Sequence, residues 1–157
     1  MKASNIFVTG FLVLTLLSTI FLIFSTLNYL EFYTAIKELK LSLKVSPQVK
    51  GERLILDIEI RVINPTSYKG LKLKSLSYRL SYRVEGESAE LAAGQIWYST
   101  AKPIQPYSEL SLRASPSLDL EAAEKYLSHP EGGLWIVNCS ALLETFTGVL
   151  RINLSYP

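Results

Sequence analysis

The sequence predicts an antiparallel β-sandwich carried behind a single transmembrane helix. Three observations predict it. Residues 3–30 run without a charge. From residue 39 onward, apolar side chains recur at every second position, the period of a strand with one buried and one wet face. Turn-forming Gly, Pro, Asn and Ser clusters break that alternation at intervals of about 8–14 residues, as in an all-β domain.

The 157 residues suffice for one ordinary domain plus an anchor. Sixteen basic and 14 acidic side chains leave a formal net charge of +2. That balance exerts no general pull on nucleic acid, so no nucleic-acid partner is expected. The lone Cys139 excludes an intrachain disulfide and a cysteine-based zinc site, and the lone His129 excludes a histidine-rich one. The sequence has no phosphate-binding Gly-rich loop, GxSxG or HExxH motif. No catalytic, metal-binding or cofactor-binding residue is assigned, and no enzyme activity is expected.

The anchor comes first. Ala3–Leu30 is 28 uncharged residues, where a bilayer core of about 30 Å needs about 20 as a helix. The run is too long for a cleaved signal peptide, and no small-residue cleavage site follows it. Residues 1–35 are therefore read as an uncleaved signal anchor that meets lipid through residues 3–30. Residues 36–157 are read as the domain, placed outside the cytoplasm. Tyr29, Phe32 and Tyr33 suit the membrane interface. Thr15, Ser18, Thr19, Ser25 and Thr26 share part of the helix circumference. Their hydroxyls either meet a partner helix or, as is commoner, bond their own backbone.

The strands follow in order. Leu39, Leu41, Leu43 and Val45 alternate with polar residues up to Pro47. After a turn at Val49–Glu52 comes the most regular stretch of the chain, Leu54–Thr66. Leu56, Ile58, Ile60 and Val62 there alternate with Asp57, Glu59 and Arg61, until Asn64-Pro65 ends the strand. Leu71 and Leu73 have one parity, while Leu76, Tyr78, Leu80 and Tyr82 have the other, which implies a bulge near Ser75. Glu85–Ser88 turns the chain into a strand at residues 89–99. Lys102–Ser108 is a loop, and Leu110 and Leu112 form a short strand ended by Pro116. Over Ser117–Ser128 the period becomes helical, with Asp119 as N-cap. Leu134–Leu143 and Thr147–Tyr156 close the domain as a hairpin, with Leu150, Ile152 and Leu154 facing inward. The sum is seven strands and one short helix, the pattern of an immunoglobulin-like sandwich.

One segment resembles a known family. In residues 58–82, IEIRVINPTSYKGLKLKSLSYRLSY, an alternating strand runs into Asn64-Pro65. A lysine-containing loop and a second alternating strand follow. This is similar to the LEA-2 / WHy (water stress and hypersensitive response) domain, and the order of later elements extends the resemblance over roughly residues 38–157. The resemblance implies a seven-stranded sandwich with one helix, no catalysis, and a role in stress protection or cell-surface interaction. A single-helix anchor bearing a small sandwich is also similar in architecture to accessory subunits of archaeal surface filaments. The alternative reading is therefore a subunit of a membrane or cell-surface assembly, with a protein partner or a second copy of the chain.

Few residues stand out as candidates for contact. Lys69, Lys72, Lys74, Arg79 and Arg83 give five cations without an acid, either a patch for an anionic surface or a solvated strand face. Asn138 and Asn153 head N-x-S sequons and are candidate glycosylation positions, whereas Pro65 excludes Asn64. Tyr68, Tyr78, Tyr82, Trp97, Tyr98 and Tyr107 read mainly as cross-strand core aromatics. Asp57 and Glu59, with Arg61 next in the row, read as a solvated charge ladder rather than an acid/base pair.

Overall fold

The structure is a computed structural model that describes residues 3–84, 86–119, 123, 133–145 and 148–156. The chain divides into two compact units, Met1–Lys37 and Glu38–Pro157. The first is the helix α1 (Ala3–Glu38). At 1.5 Å per residue its 36 residues extend about 54 Å, enough to cross a bilayer. Thr15, Thr19 and Thr26 each donate their hydroxyl to the carbonyl four residues earlier, at 2.8–2.9 Å. These hydroxyls are satisfied within the helix, so the apolar surface carries no bare polar group at those positions.

The second unit contains β1 (Lys40–Lys50), β2 (Arg53–Asn64), β3 (Lys72–Val84), β4 (Glu87–Pro103), β5 (Ser108–Ala114), β6 (Ser117–Asp119), β7 (Leu134–Thr145) and β8 (Gly148–Tyr156). They form two antiparallel sheets. One has the order β1-β2-β5, with β6 also on β2; the other has the order β4-β3-β7-β8. Inward side chains of both sheets make the core. Leu54, Leu56, Ile58, Ile60 and Val62 of β2 are buried, as are Leu73, Leu76 and Leu80 of β3 and Val137, Ala141 and Leu143 of β7. The strict alternation of β2 is thus the burial pattern itself, and the expected sandwich is observed.

Eight strands are described where seven are expected, and the register explains the difference. Arg53 to Ile55 pair with Asp119 to Ser117, and Ile58 to Asn64 pair with Ala114 to Ser108, in one unbroken register. β5 and β6 are therefore one strand. Between them Pro116, which has no N–H to give, interrupts the hydrogen-bond ladder. The Pro116 carbonyl still accepts the Leu56 N–H at 3.0 Å. This corrects two expectations: Pro116 does not end the strand, and Ser117–Asp119 is strand rather than the start of a helix. The rest of the expected helix lies outside the described residues, except Ala123, which is helical and buried.

Pro47 likewise fails to end β1, which runs on to Lys50. In an antiparallel ladder a residue's N–H and C=O point to the same side. Leu56 directs its own toward Pro116, so Leu56 and its opposite neighbour Pro47 are a non-hydrogen-bonded pair. The Pro47 nitrogen then points off the open edge, where a missing donor costs nothing. Gly51, at φ 62°, is the first of two central residues in the turn to β2, a position that favours glycine in a two-residue hairpin.

The expected bulge lies between Leu73 and Ser75, where β3 shifts register against both neighbours. It lets Leu73 and Leu76 both point into the core. Opposite Tyr78, Gly94 leaves room that any Cβ would close, since a Cβ there would stand 2.7 Å from the Tyr78 hydroxyl. The closing hairpin is as expected in its strands. Leu150, however, is 38% exposed, because β8 is an edge strand and its first residues lie open to solvent.

Candidate functional site

Among the described residues, Asn64 stands out for its side-chain hydrogen bonds. It is fully buried at the end of β2. Its Oδ1 accepts the Thr66 backbone N–H at 3.0 Å and the Thr66 hydroxyl at 2.7 Å, the pattern of an Asx turn. Its Nδ2 donates to the Tyr68 carbonyl at 3.0 Å and toward the Ile104 carbonyl at 3.4 Å. Two backbone bonds reinforce the junction: Ile104 N–H to the Leu71 carbonyl, and Tyr107 N–H to the Thr66 carbonyl. Tyr107 sits at φ 51°, an uncommon conformation for a non-glycine residue. Asn64 thereby ties the β2–β3 loop to the β4–β5 loop. The sequence shows Asn64-Pro65 as a strand terminator and as part of the family resemblance, without a partner for the Asn64 side chain; the signal that would have shown more is Thr66, two residues on.

The outer face of the β1-β2-β5 sheet carries the expected charge ladder. Arg61 bonds Glu59 at 3.1 Å and Glu109 at 3.3 Å, and Arg113 lies 3.8 Å from Glu59. The Arg61 hydrogen bond holds the Glu59 carboxyl below its ordinary pKa. Asp57 accepts from Gln48 and from Ser115, both at 2.8 Å. Each carboxylate thus has its own partners along the sheet face.

The five cations of residues 69–83 do not converge. Lys69 lies in the loop before β3, and Lys72, Lys74, Arg79 and Arg83 follow along β3. Lys72 to Arg83 spans about 36 Å at 3.3 Å per residue. Lys72 pairs with Glu144 at 3.7 Å. The Lys74 ammonium donates to the Ser99 carbonyl at 2.6 Å and lies 5.4 Å from the Trp97 ring centre. Arg79 and Arg83 are exposed.

Arg79 instead joins a different group. The outer face of the β4-β3-β7-β8 sheet holds an open concavity of about 510 Å³, lined in part by Arg79, Gln95, Asn138, Ser140, Arg151 and Asn153. The register assembles it: Arg79 stands beside Asn138, Ser140 beside Asn153, and Leu142 beside Arg151. Trp97 extends the same face, opposite Ser75 and two positions beyond Gln95, with 59% of its surface exposed. Both sequon asparagines are thus exposed in this concavity. Arg151 and Gln95 were not singled out in the sequence, because the pairing of β7 with β8 is what brings Arg151 to the face.

The aromatics divide between core and surface. Tyr82 packs on its cross-strand neighbour Trp135 at 4.7 Å, and Tyr78 is buried, its phenol pKa raised by desolvation. Trp97 and Tyr107 are exposed. Cys139 faces the core, and burial pushes its thiol up to about 12.

No protein-family model matches the sequence, and no curated protein does. Solved structures to which the chain is similar include the Arabidopsis thaliana protein AT1g01470, at 12% identity and a TM-score of 0.49, covering 76% of this chain and 78% of that one. They also include a proposed late embryogenesis abundant (LEA) protein, At2g46140.1, at 12% identity and a TM-score of 0.45, covering 90% and 84%. A third comes from Archaeoglobus fulgidus, at 16% identity and a TM-score of 0.40, covering 76% and 93%.

Proposed function

We propose that the chain is a non-enzymatic, membrane-anchored β-sandwich that acts outside the cytoplasm as an interaction or stress-protective module of LEA-2 type. The observation that carries the anchor is the surface of α1. Phe7, Leu12, Leu16, Leu22 and Phe24 are each at least 60% exposed, and at about 100° per residue they are spread around the whole helix circumference. A helix apolar on all sides finds its burial in lipid or against other helices. The resemblance of residues 58–82 to the LEA-2 / WHy domain supports the module, and the buried Asn64 turn gives its Asn-Pro motif a structural reason.

The rival reading is an assembly subunit held through its helix and its sheet edges. Two of the four sheet edges favour it less. β1 carries Pro47 at its open edge, and β4 shifts register near Leu91 and again before Ala101. Such irregularities discourage edge pairing. Protease added to intact cells should remove the domain while leaving the helix in the membrane fraction. A fully protected domain would overturn the orientation, and release of the intact chain by alkaline carbonate would overturn the anchor. Recovery of a stoichiometric partner from gently solubilised membranes would favour the subunit reading.

A further inference from the structure

We propose that the outer face of the β4-β3-β7-β8 sheet binds an acidic polysaccharide, with Arg79 and Arg151 pairing its anionic groups. This names a ligand class for the interaction module and rests on that reading. The contrast between the two sheets motivates it. On the β1-β2-β5 face, Arg61 and Arg113 are matched by Glu59 and Glu109. On the other face, Arg79 and Arg151 have no ion-pair partner among the described residues, and no carboxylate lines the concavity they share. A guanidinium presents a planar fork of donors that fits a carboxylate or sulfate. Between the two arginines stand Asn138, Asn153 and Ser140, whose amides and hydroxyl can both donate to and accept from sugar hydroxyls. Trp97 adds an exposed aromatic plane at the end of the same face.

Spacing argues for a chain rather than a small anion. Arg79 and Arg151 lie two strands apart and are offset by four residues along the ladder, through the pairs Arg79–Asn138 and Leu142–Arg151. Their Cα atoms are therefore about 16 Å apart, from strand spacing and rise. One carboxylate cannot bridge that distance without drawing both long side chains inward, whereas a polymer with repeated charges meets each arginine in place. A membrane surface fits less well, because the neighbouring lysines are occupied: Lys72 by Glu144 and Lys74 by the Ser99 carbonyl.

The test uses the full chain in phosphatidylcholine nanodiscs at low salt. Three probes are compared: polygalacturonate, uncharged dextran, and vesicles containing phosphatidylserine. Polygalacturonate should bind and dextran should not. Arg79→Gln and Arg151→Gln should each weaken binding about tenfold, the scale of a lost charge-assisted hydrogen bond. Their melting temperatures should not change, and Lys69→Gln should bind like the parent. The proposal is overturned by absence of polygalacturonate binding, by equal binding of both arginine variants, or by preference for the vesicles. A glycan found by mass spectrometry on Asn138 or Asn153 of the native chain would also overturn it, since the attached sugar would occupy the face. These measurements do not depend on which side of the membrane the domain occupies, so a failure here is distinct from failure of the protease experiment.

Discussion

Replacing Asn64 with alanine should destabilise the sandwich more than any other loss of a neutral polar side chain described here. The fully buried side chain makes three part-buried bonds of 2.7–3.0 Å and a weaker buried one of 3.4 Å. A neutral hydrogen bond contributes about 1 kcal/mol net, and an orphaned buried group costs about 1–3 kcal/mol. The Thr66 N–H and the Tyr68 and Ile104 carbonyls would all lose a partner. Partial entry of water would restore some of the bonds, so a loss of about 3 kcal/mol is expected. For a domain of this size that lowers Tm by about 12 °C. Thermal unfolding in detergent, followed by near-UV circular dichroism, reads the change. Asn64→Asp keeps the acceptor for Thr66 but loses the donor to Tyr68 and Ile104, so it should not restore the parent. A shift below about 3 °C for Asn64→Ala would refute the view that this side chain holds the two loops together.

Three further outcomes follow from the same geometry. Residues 38–157 alone should be soluble and unfold in one cooperative transition, because the sheets bury their own apolar faces; insoluble or molten material would contradict this. The depressed pKa of Glu59 makes its carboxylate a source of stability above about pH 4.5, lost as pH falls through the lower folded value. Glu59→Gln should therefore flatten the acid side of a stability–pH curve, and an unaltered curve would count against the Arg61 pairing. Cys139, buried with its thiol pushed up to about 12, should resist a thiol reagent at pH 8 until the protein unfolds; rapid labelling of the native chain would show that the core opens.

What was legible in the sequence was whatever depends on local period. The alternation of Leu54–Val62 became the buried face of β2, and the parity change at Ser75 became a bulge. That Asp57, Glu59 and Arg61 share one outer face was also readable, since residues two apart on a strand point to the same side, although Asp57 bonds Gln48 and Ser115 rather than Arg61. The face bearing Arg79 and Arg151 was not. Those residues are 72 positions apart in the chain, and only the order β3-β7-β8 places them over one concavity. Run-length reasoning instead grouped Lys69 to Arg83. Consecutive cations on an extended strand are spread along it, so a run in the sequence becomes a row about 36 Å long rather than a patch.

The prolines show a different limit of sequence reasoning. Pro47 and Pro116 were each read as the end of a strand, and neither is. What a strand proline costs depends on where its nitrogen points, and that is set by the partner's register. Leu56 pairs with Pro47 on one side and bonds Pro116 on the other. At Pro47 the missing donor faces the open edge, so the ladder loses nothing. At Pro116 it faces Leu56, so one bond is lost while the Pro116 carbonyl keeps the other. The register survives because Ala114 and Ser117 hold it on either side. Restoring an N–H by Pro116→Ala should thus add a bond to the Leu56 carbonyl. The gain is opposed by the greater freedom of alanine in the unfolded chain, about 0.4–1 kcal/mol, so the two effects of about 1 kcal/mol nearly cancel. A Tm within about 4 °C of the parent is the expected result. A large loss would mean that Pro116 marks a true break between two strands.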